Sequence, residues 1–414
     1  MDSSVVVRRS IMDGPRDHGA LVLCGSVQLR SRYKHLGGSL VAAPVFDTSL
    51  WNGAHLGVRA APDPAGAMGS WTDGRPAAIC IPDGTRHLDV VSALRAITDR
   101  VPNHGPIVVG LGLHRRMDST ELARLSAFDV QQHDPDDVIS TGSVNGIPGF
   151  VGRPVAESPF AIAVGVVELH QYAGVSGGHK AVSVGCGGRE TISALHHRDK
   201  IMRSGIQIGR IHGNPFREEV DALGTAAGCR LALVHVPAAG VWLFGSPEGV
   251  IAEALKRMRP WIWVSDKYEG AVLELESEKS MSFYQASRAA SYLALSPHPP
   301  LVEGATLVIR AACPEGLGFE VGFREALHRN RPPWSALLSG EPPQGAGAQR
   351  AVILALLSRR YRLRVEGCND PSVFDAVGIE ASADCGQYPP TWLRVQHPFQ
   401  QLPQYGHPPR IAPG

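Results

Sequence analysis

The chain has 414 residues, 43% hydrophobic and 19% charged, with a formal net charge of +1. That much apolar material folds, and so small a charge neither keeps a chain disordered nor supplies the basic patch that nucleic acid or a membrane surface requires. Single cores stop growing near roughly 250–300 residues, so two domains are expected.

Seven cysteines (Cys24, Cys80, Cys186, Cys229, Cys313, Cys368, Cys385) are scattered without a C-x-x-C pair, which reads as free thiols in a reducing compartment. The opening MDSSVVVRRSIMDGPRD lacks an apolar run before a small-residue cleavage site, and no 18-residue apolar stretch occurs. The cytoplasm is the expected location.

From Ala77 onward one pattern recurs: a short apolar run, a loop rich in Gly, Thr or His, then a helix-like stretch. This is the mark of stacked βα units. AAICIP (77–82) leads through DGTRHLD to VVSALRAITDRV, where Val91, Leu94, Ile97 and Val101 recur at helical spacing. PIVVGLGL (106–113) leads to HRRMDSTELARL, with Ser119 and Glu121 at a helix start. FAIAVGVVEL (160–169) leads to HQYAGVSGGHK, and RLALVHV (230–236) and GVWLFG (240–245) supply further strands.

These runs do not alternate with polar residues, so they fit strands buried on both faces of a parallel sheet. The loops then lie at the carboxyl edge, where open α/β sheets bind ligands, and Asp83–Arg86, His114 and His170–Lys180 can share one crevice. Around Lys256–Ser280 the text turns charged and a second βα pattern follows, which places a boundary near residue 264: an N-terminal domain over 1–264 and a C-terminal α/β domain over 265–400. LVEGATLVIRAACPEGLG (301–318) reads as a strand and Gly-bearing loop, and AQRAVILALLSRRYRLRVEG (348–367) as a helix and a strand. From Tyr388 the chain is proline-rich and aperiodic, so this stretch, and the tail 401–414 above all, is expected to drape or fray.

Chemistry concentrates at the loops. Ser176, Gly177 and Gly178 precede Lys180, a loop able to bring backbone N–H groups and an amine to a phosphate or to form a plain turn. It is not a phosphate-binding NTPase loop, because counting from Gly174 places His179 where the second Gly belongs and Ala181 where Ser or Thr belongs. Of 17 histidines, His114 and His170 stand out, each at the first polar position after an apolar run. His196 lies in a helical stretch, where it could bind a metal or meet helix-end carbonyls. Asp83 and Arg86 share a loop that suits capture of a carboxylate or a turn salt bridge. Gln285 and Arg288 are three apart, on one helix face.

Taken in order, PDGTR, GLGLHRR, HDPDD, ELHQYAGVSGGHKAV, ETISALHH, NPFREEV, FYQASRAAS and CPEGLG resemble the lactate racemase family over residues 77–320. The resemblance implies an α/β enzyme of two domains, each with a mainly parallel sheet flanked by helices, and an active site in the crevice between them. It implies a nickel-pincer nucleotide joined covalently to Lys180, with His196 as the protein ligand of nickel. Asp83, Gly84, Thr85 and Arg86 would contact that nucleotide, His114 and His170 would be the acid/base pair, and Gln285 and Arg288 would face the substrate.

The implied reaction is inversion at C2 of a small 2-hydroxy acid by proton-coupled hydride transfer through a 2-keto acid, an isomerase activity that needs cofactor-synthesis proteins for maturation. Two bases are needed because the enantiomers present their hydroxyls on opposite sides. Three positions depart from the pattern: Arg288 stands where lactate-acting members carry lysine, Arg116 replaces proline, and SEKSMS replaces a Gly/Pro-rich turn. A guanidinium in place of an ammonium points to a substrate larger or more polar than lactate. The competing readings are a non-catalytic nucleotide-binding homologue and a metal- or His-dependent hydrolase or lyase.

Overall fold

The computed structural model describes residues 46–47, 74–101 and 103–408; Cys24, the opening segment and the last residues of the tail lie outside them. A seven-stranded sheet has the order Phe46–Asp47, Val241–Gly245, Cys229–Val236, Ala161–Val166, Ala78–Pro82, Ile107–Gly110, Val130–Gln132. Its neighbours are parallel from Cys229–Val236 to Val130–Gln132, while Val241–Gly245 runs antiparallel to both strands that flank it.

Alternation within the strands sorts this sheet into two faces. Ile79, Ile81, Ile107, Val109, Ile162 and Leu231 turn to one core, which also takes in Leu94 and Ile97. Those two side chains come from the helix Val90–Thr98, capped by the Asp89 carboxylate accepting from the Ser92 N–H at 3.0 Å. The other face carries Ala78, Cys80, Ala161, Ala163 and Ala232. Small side chains there let the segment that bears Lys180 lie close, with Val182 and Cys186 in the same core. A Cβ on Gly110 would stand 3.0 Å from the Gly185 backbone, so a larger residue would have to push that segment back where it crosses the strand end.

The helix expected at Ser119 does start there, but its cap is Asp118, which accepts from the N–H groups of Thr120 and Glu121 while Glu121 reaches back to the Asp118 N–H. A hairpin of Val138–Val144 and Ile147–Gly152 adds to the reading of the sequence. Its turn is Asn145 and Gly146, both at positive φ (50° and 76°), the pair that a tight hairpin turn favours.

The second sheet has five strands, all parallel, in the order Glu380–Ser382, Arg362–Glu366, Leu301–Arg310, Tyr268–Glu274, Leu393–Val395. The helices Phe283–Ala294 and Ala348–Ser358 precede the adjacent strands Leu301–Arg310 and Arg362–Glu366. The chain is therefore mixed α/β with mainly parallel sheets flanked by helices, as expected.

The expectation of a fraying end is corrected. Leu393–Val395 is an edge strand of the five-stranded sheet, and Leu402–Tyr405 pairs in parallel with Trp261–Val264. Leu402 and Gln404 are buried; the Gln404 amide donates to Ser296 Oγ at 2.9 Å and accepts from the His298 N–H at 2.9 Å. Pro403 hides this strand from a periodicity reading, and proline is tolerated because the ladder has only two strands. Among the described residues no helix is long and apolar enough to cross a membrane.

Candidate active site

The carboxyl ends of Ala78–Pro82, Ile107–Gly110 and Ala161–Val166 open into a cavity of about 230 Å³. Asp83, Arg86, His114, His170, Lys180, His196 and Arg288 all line it. Opposite the strand ends the wall is built by Tyr284, Arg288 and Tyr292, successive turns of one helix, with Glu320, the glycine-bearing loop 343–347 and the first turn of the helix Ala348–Ser358. Gly84, Thr85 and Gln285 are not among the lining residues. Thr85 instead braces Asp83, and Gln285 is buried one step around the helix from the Tyr284–Arg288–Tyr292 stripe.

His114 Nδ1 lies 2.7 Å from Asp83 Oδ2, while Asp83 Oδ1 accepts from the Thr85 N–H at 3.1 Å and its hydroxyl at 2.6 Å. Burial alone would raise the Asp83 pKa, but the neighbouring imidazole and these hydrogen bonds prevail and hold the carboxyl far below its usual range. The carboxylate therefore accepts a hydrogen bond from His114 Nδ1–H, and in the tautomer this selects Nε2 is the acceptor.

His170 is set the other way. Its Nδ1 accepts from the N–H groups of Tyr172 at 3.3 Å and Ala173 at 3.1 Å. Burial, reinforced by the charges of Lys180 and Arg288, pushes its pKa well below the ordinary value. The neutral ring then carries its proton on Nε2, a donor. The loop holding it is pinned by Asn214, whose amide donates to the Tyr172 carbonyl at 2.8 Å and whose Oδ1 caps the helix Pro215–Ala226.

Lys180 begins the short helix Lys180–Ser183, just beyond Gly177 and Gly178 at φ of 84° and 61°. Burial, then the positive charges of Arg86 and Arg288, pull its amine down to about 7. An appreciable share is therefore uncharged and nucleophilic near neutral pH. His196 closes the helix Arg189–Leu195 and gives its Nδ1 to the Ile192 carbonyl at 2.8 Å. Burial overrides that bond and lowers its pKa to about 4. Nε2 of the neutral ring keeps its lone pair, so the helix-end contact and the ligand reading are compatible. The HDPDD segment positions this helix: Asp136 grips Arg189 at 2.8 and 2.6 Å, and His133 Nε2 meets the Gly187 carbonyl at 2.9 Å.

Several residues went unread in the sequence. Glu168 is buried between Arg86 at 3.2 Å and Lys279 at 3.0 Å, and Lys279 also donates to the Thr85 carbonyl at 3.2 Å. Burial would raise the Glu168 pKa, but the two cations lower it below its usual value. A lone carboxylate inside the apolar run FAIAVGVVEL was the available signal, and Lys279 sits in the SEKSMS departure. Arg350 and Gln171 also line the cavity. Among the described residues no cluster of three or more His, Cys, Asp or Glu side chains could by itself hold a metal ion.

Two open α/β sheets and a cavity at strand ends, carrying a depressed lysine and neutral imidazoles, define an enzyme-like α/β protein with a polar, cationic pocket. Residues 68–209 match the lactate racemase N-terminal domain, which bears out the resemblance to the lactate racemase family. Curated protein sequences give no match. Among solved structures the chain is similar to the lactate racemase apoprotein from Thermoanaerobacterium thermosaccharolyticum, at 16% identity and a TM-score of 0.67 over 80% of this chain and 88% of that one. It is also similar to a structural-genomics protein from Thermotoga maritima, at 13% identity and a TM-score of 0.62 over 82% and 96% of the two chains. At these identities the likeness is one of fold.

Proposed function

We propose that the protein is a racemase or epimerase that inverts C2 of a 2-hydroxy acid through a planar 2-keto acid. One observation carries this reading: a depressed amine, a neutral imidazole with a free Nε2, and two further imidazoles of opposite hydrogen-bonding polarity meet in one cavity. The lactate racemase N-terminal domain supports it.

The residues present fit a nickel-pincer nucleotide. Lys180 is the amine suited to a covalent bond, and Nε2 of His196 is the one protein donor such a metal would need if the nucleotide supplies the rest. When bound, the group supplies a hydride acceptor that no side chain can replace. Its synthesis proteins are maturation partners in this reading, and a cytoplasmic location goes with it.

The chain's own residues manage the substrate and its proton. Arg86, tied in place by Glu168, receives the C1 carboxylate. His114 takes the hydroxyl proton at Nε2, and the imidazolium so formed is held by Asp83. His170 presents its Nε2–H to the oxygen of the keto acid on the other side. The apolar and aromatic surroundings, Tyr172 and Phe216 beside His170 and His196, limit water around the site.

Substrate deuterated at C2 tests this. The product of the matured enzyme should keep its deuterium in ordinary water, and intact mass should show an adduct that Lys180→Ala removes. Loss of deuterium to solvent in step with racemisation would mean that a histidine abstracts the C2 proton, and the hydride route would fall.

A further inference from the structure

We propose that Arg288 and Arg350 form a second acid-binding position in the cavity, so that the substrate is a dianion: a 2-hydroxy acid bearing another carboxylate. The assignment of the first position rests on the racemase reading above.

Arg350 is buried at 3% exposure, near the start of the helix Ala348–Ser358. Its guanidinium donates to Ser287 Oγ at 3.1 Å, the Ser287 carbonyl at 3.0 Å, Ser291 Oγ at 2.6 Å and Gln171 Oε1 at 2.8 Å. Every one of these acceptors is neutral. Arg288 lies between the two serines on the facing helix, with its guanidinium 5.0 Å from the centre of the Tyr284 ring. Among the described residues neither arginine has a carboxylate within ion-pair distance, and both line the cavity.

The two guanidinium charges repel each other, and the buried Arg350 has lost hydration that a counter-charge normally replaces. Burial, with the charge of Arg288 adding to it, pulls Arg350 down to about 10, still cationic at neutral pH. A dedicated hydrogen-bond clamp that holds Arg350 within reach of a second cation is sensible where an anion arrives between them.

A local charge count agrees. Arg86, Lys279 and Glu168 leave one positive charge, which the C1 carboxylate cancels. Asp83 is answered by the neighbouring Lys180 amine, whose protonated form it favours. Arg288 and Arg350, offset only by Glu320 across the cavity, leave one more. A second carboxylate on the substrate cancels it, whereas lactate leaves it unanswered.

Binding to the purified full chain, followed by calorimetry and thermal shift, tests this without requiring turnover. The probes are lactate, malate, succinate and inorganic phosphate. Malate and succinate should each bind about ten-fold tighter than lactate or better, and Arg288→Gln should narrow the malate-to-lactate gap to below about three-fold. If that variant fails to fold, the comparison on the unaltered chain decides alone: malate binding no tighter than lactate overturns the proposal. Phosphate stabilising the chain more than malate does would assign the pair to a nucleotide phosphate and overturn it as well. A matured chain that binds malate tightly but leaves C2 of malate and lactate unchanged would sink the racemase reading and sustain the dianion site. One that racemises lactate and ignores malate would do the reverse.

Discussion

The two walls of the cavity handle charge in opposite ways. On the seven-stranded side Arg86 pairs with Glu168, which Lys279 also reaches from the segment before the facing helix, and His114 leans on Asp83. On the facing helices Arg288 and Arg350 have only hydroxyl, amide, carbonyl and aromatic partners. The paired groups of the first wall have their geometry fixed before any ligand comes. The second wall is stable only at a cost that a ligand can relieve, and such an unfinished surface is where specificity resides.

The largest effect should come from unpairing the finished wall. Glu168→Gln leaves Arg86 and Lys279 buried without a counter-charge and should cost about 3–5 kcal/mol in urea unfolding; a loss under about 1 kcal/mol would show that the triad is dispensable. The same carboxylate gives a pH signature. Its folded pKa is depressed, so its stabilisation is fully present above the unfolded value near about 4.3 and is lost as pH falls through the lower folded value. Acid denaturation of Glu168→Gln should lack that component.

Asp83→Asn removes the charge beside His114 with little change of shape. Turnover of the matured enzyme should fall by about 10²–10⁴-fold while the circular dichroism spectrum is unchanged, because the imidazole loses its preferred tautomer and the support for its cationic form. Activity within a few-fold of the original would remove Asp83 from the mechanism.

Smaller shifts are expected on the unfinished wall, and with the opposite sign. Arg288→Met deletes an unpaired cation among aromatic neighbours, so the ligand-free chain should gain about 0.5–2 kcal/mol. If it loses stability instead, Arg288 already has its counter-charge. Lys180 adds a gentle trend: with its folded value near 7 and an unfolded one near about 10.4, the unfolded chain binds the extra proton between those limits. Stability should rise across that window, and Lys180→Met should flatten the rise measured by urea midpoints at the two ends.

How much of this was legible in the sequence follows from which signals are local. Buried strands such as AICIP and IVVG announce themselves by composition, and the loops after them hold Asp83, His114 and His170 because strand ends are where polar side chains enter a crevice. The hairpin turn at Asn145 and Gly146 was equally local and went unread, since Val138–Val144 is half polar and the apolar run of Ile147–Gly152 is broken by proline and glycine. Other features are tertiary by nature. Nothing near Lys279 in the chain says that it meets Glu168 111 positions away, and nothing in AQRAV says that Arg350 reaches Gln171. Gln285 shows the limit of helix-face reasoning: three residues from Arg288 share a face only loosely, and the cavity selects positions 284, 288 and 292.

The ladder between Trp261–Val264 and Leu402–Tyr405 has a consequence for synthesis. A chain emerging from the ribosome makes Trp261, Ile262 and Trp263 long before their partner strand exists, and the ladder closes only once Leu402–Tyr405 has been translated. Until then an aromatic strand edge stands open, the kind that recruits other chains. A message truncated before the codon for Leu402 would therefore yield a product that is sticky as well as short, with inclusion bodies the expected fate in a cell making it at high level.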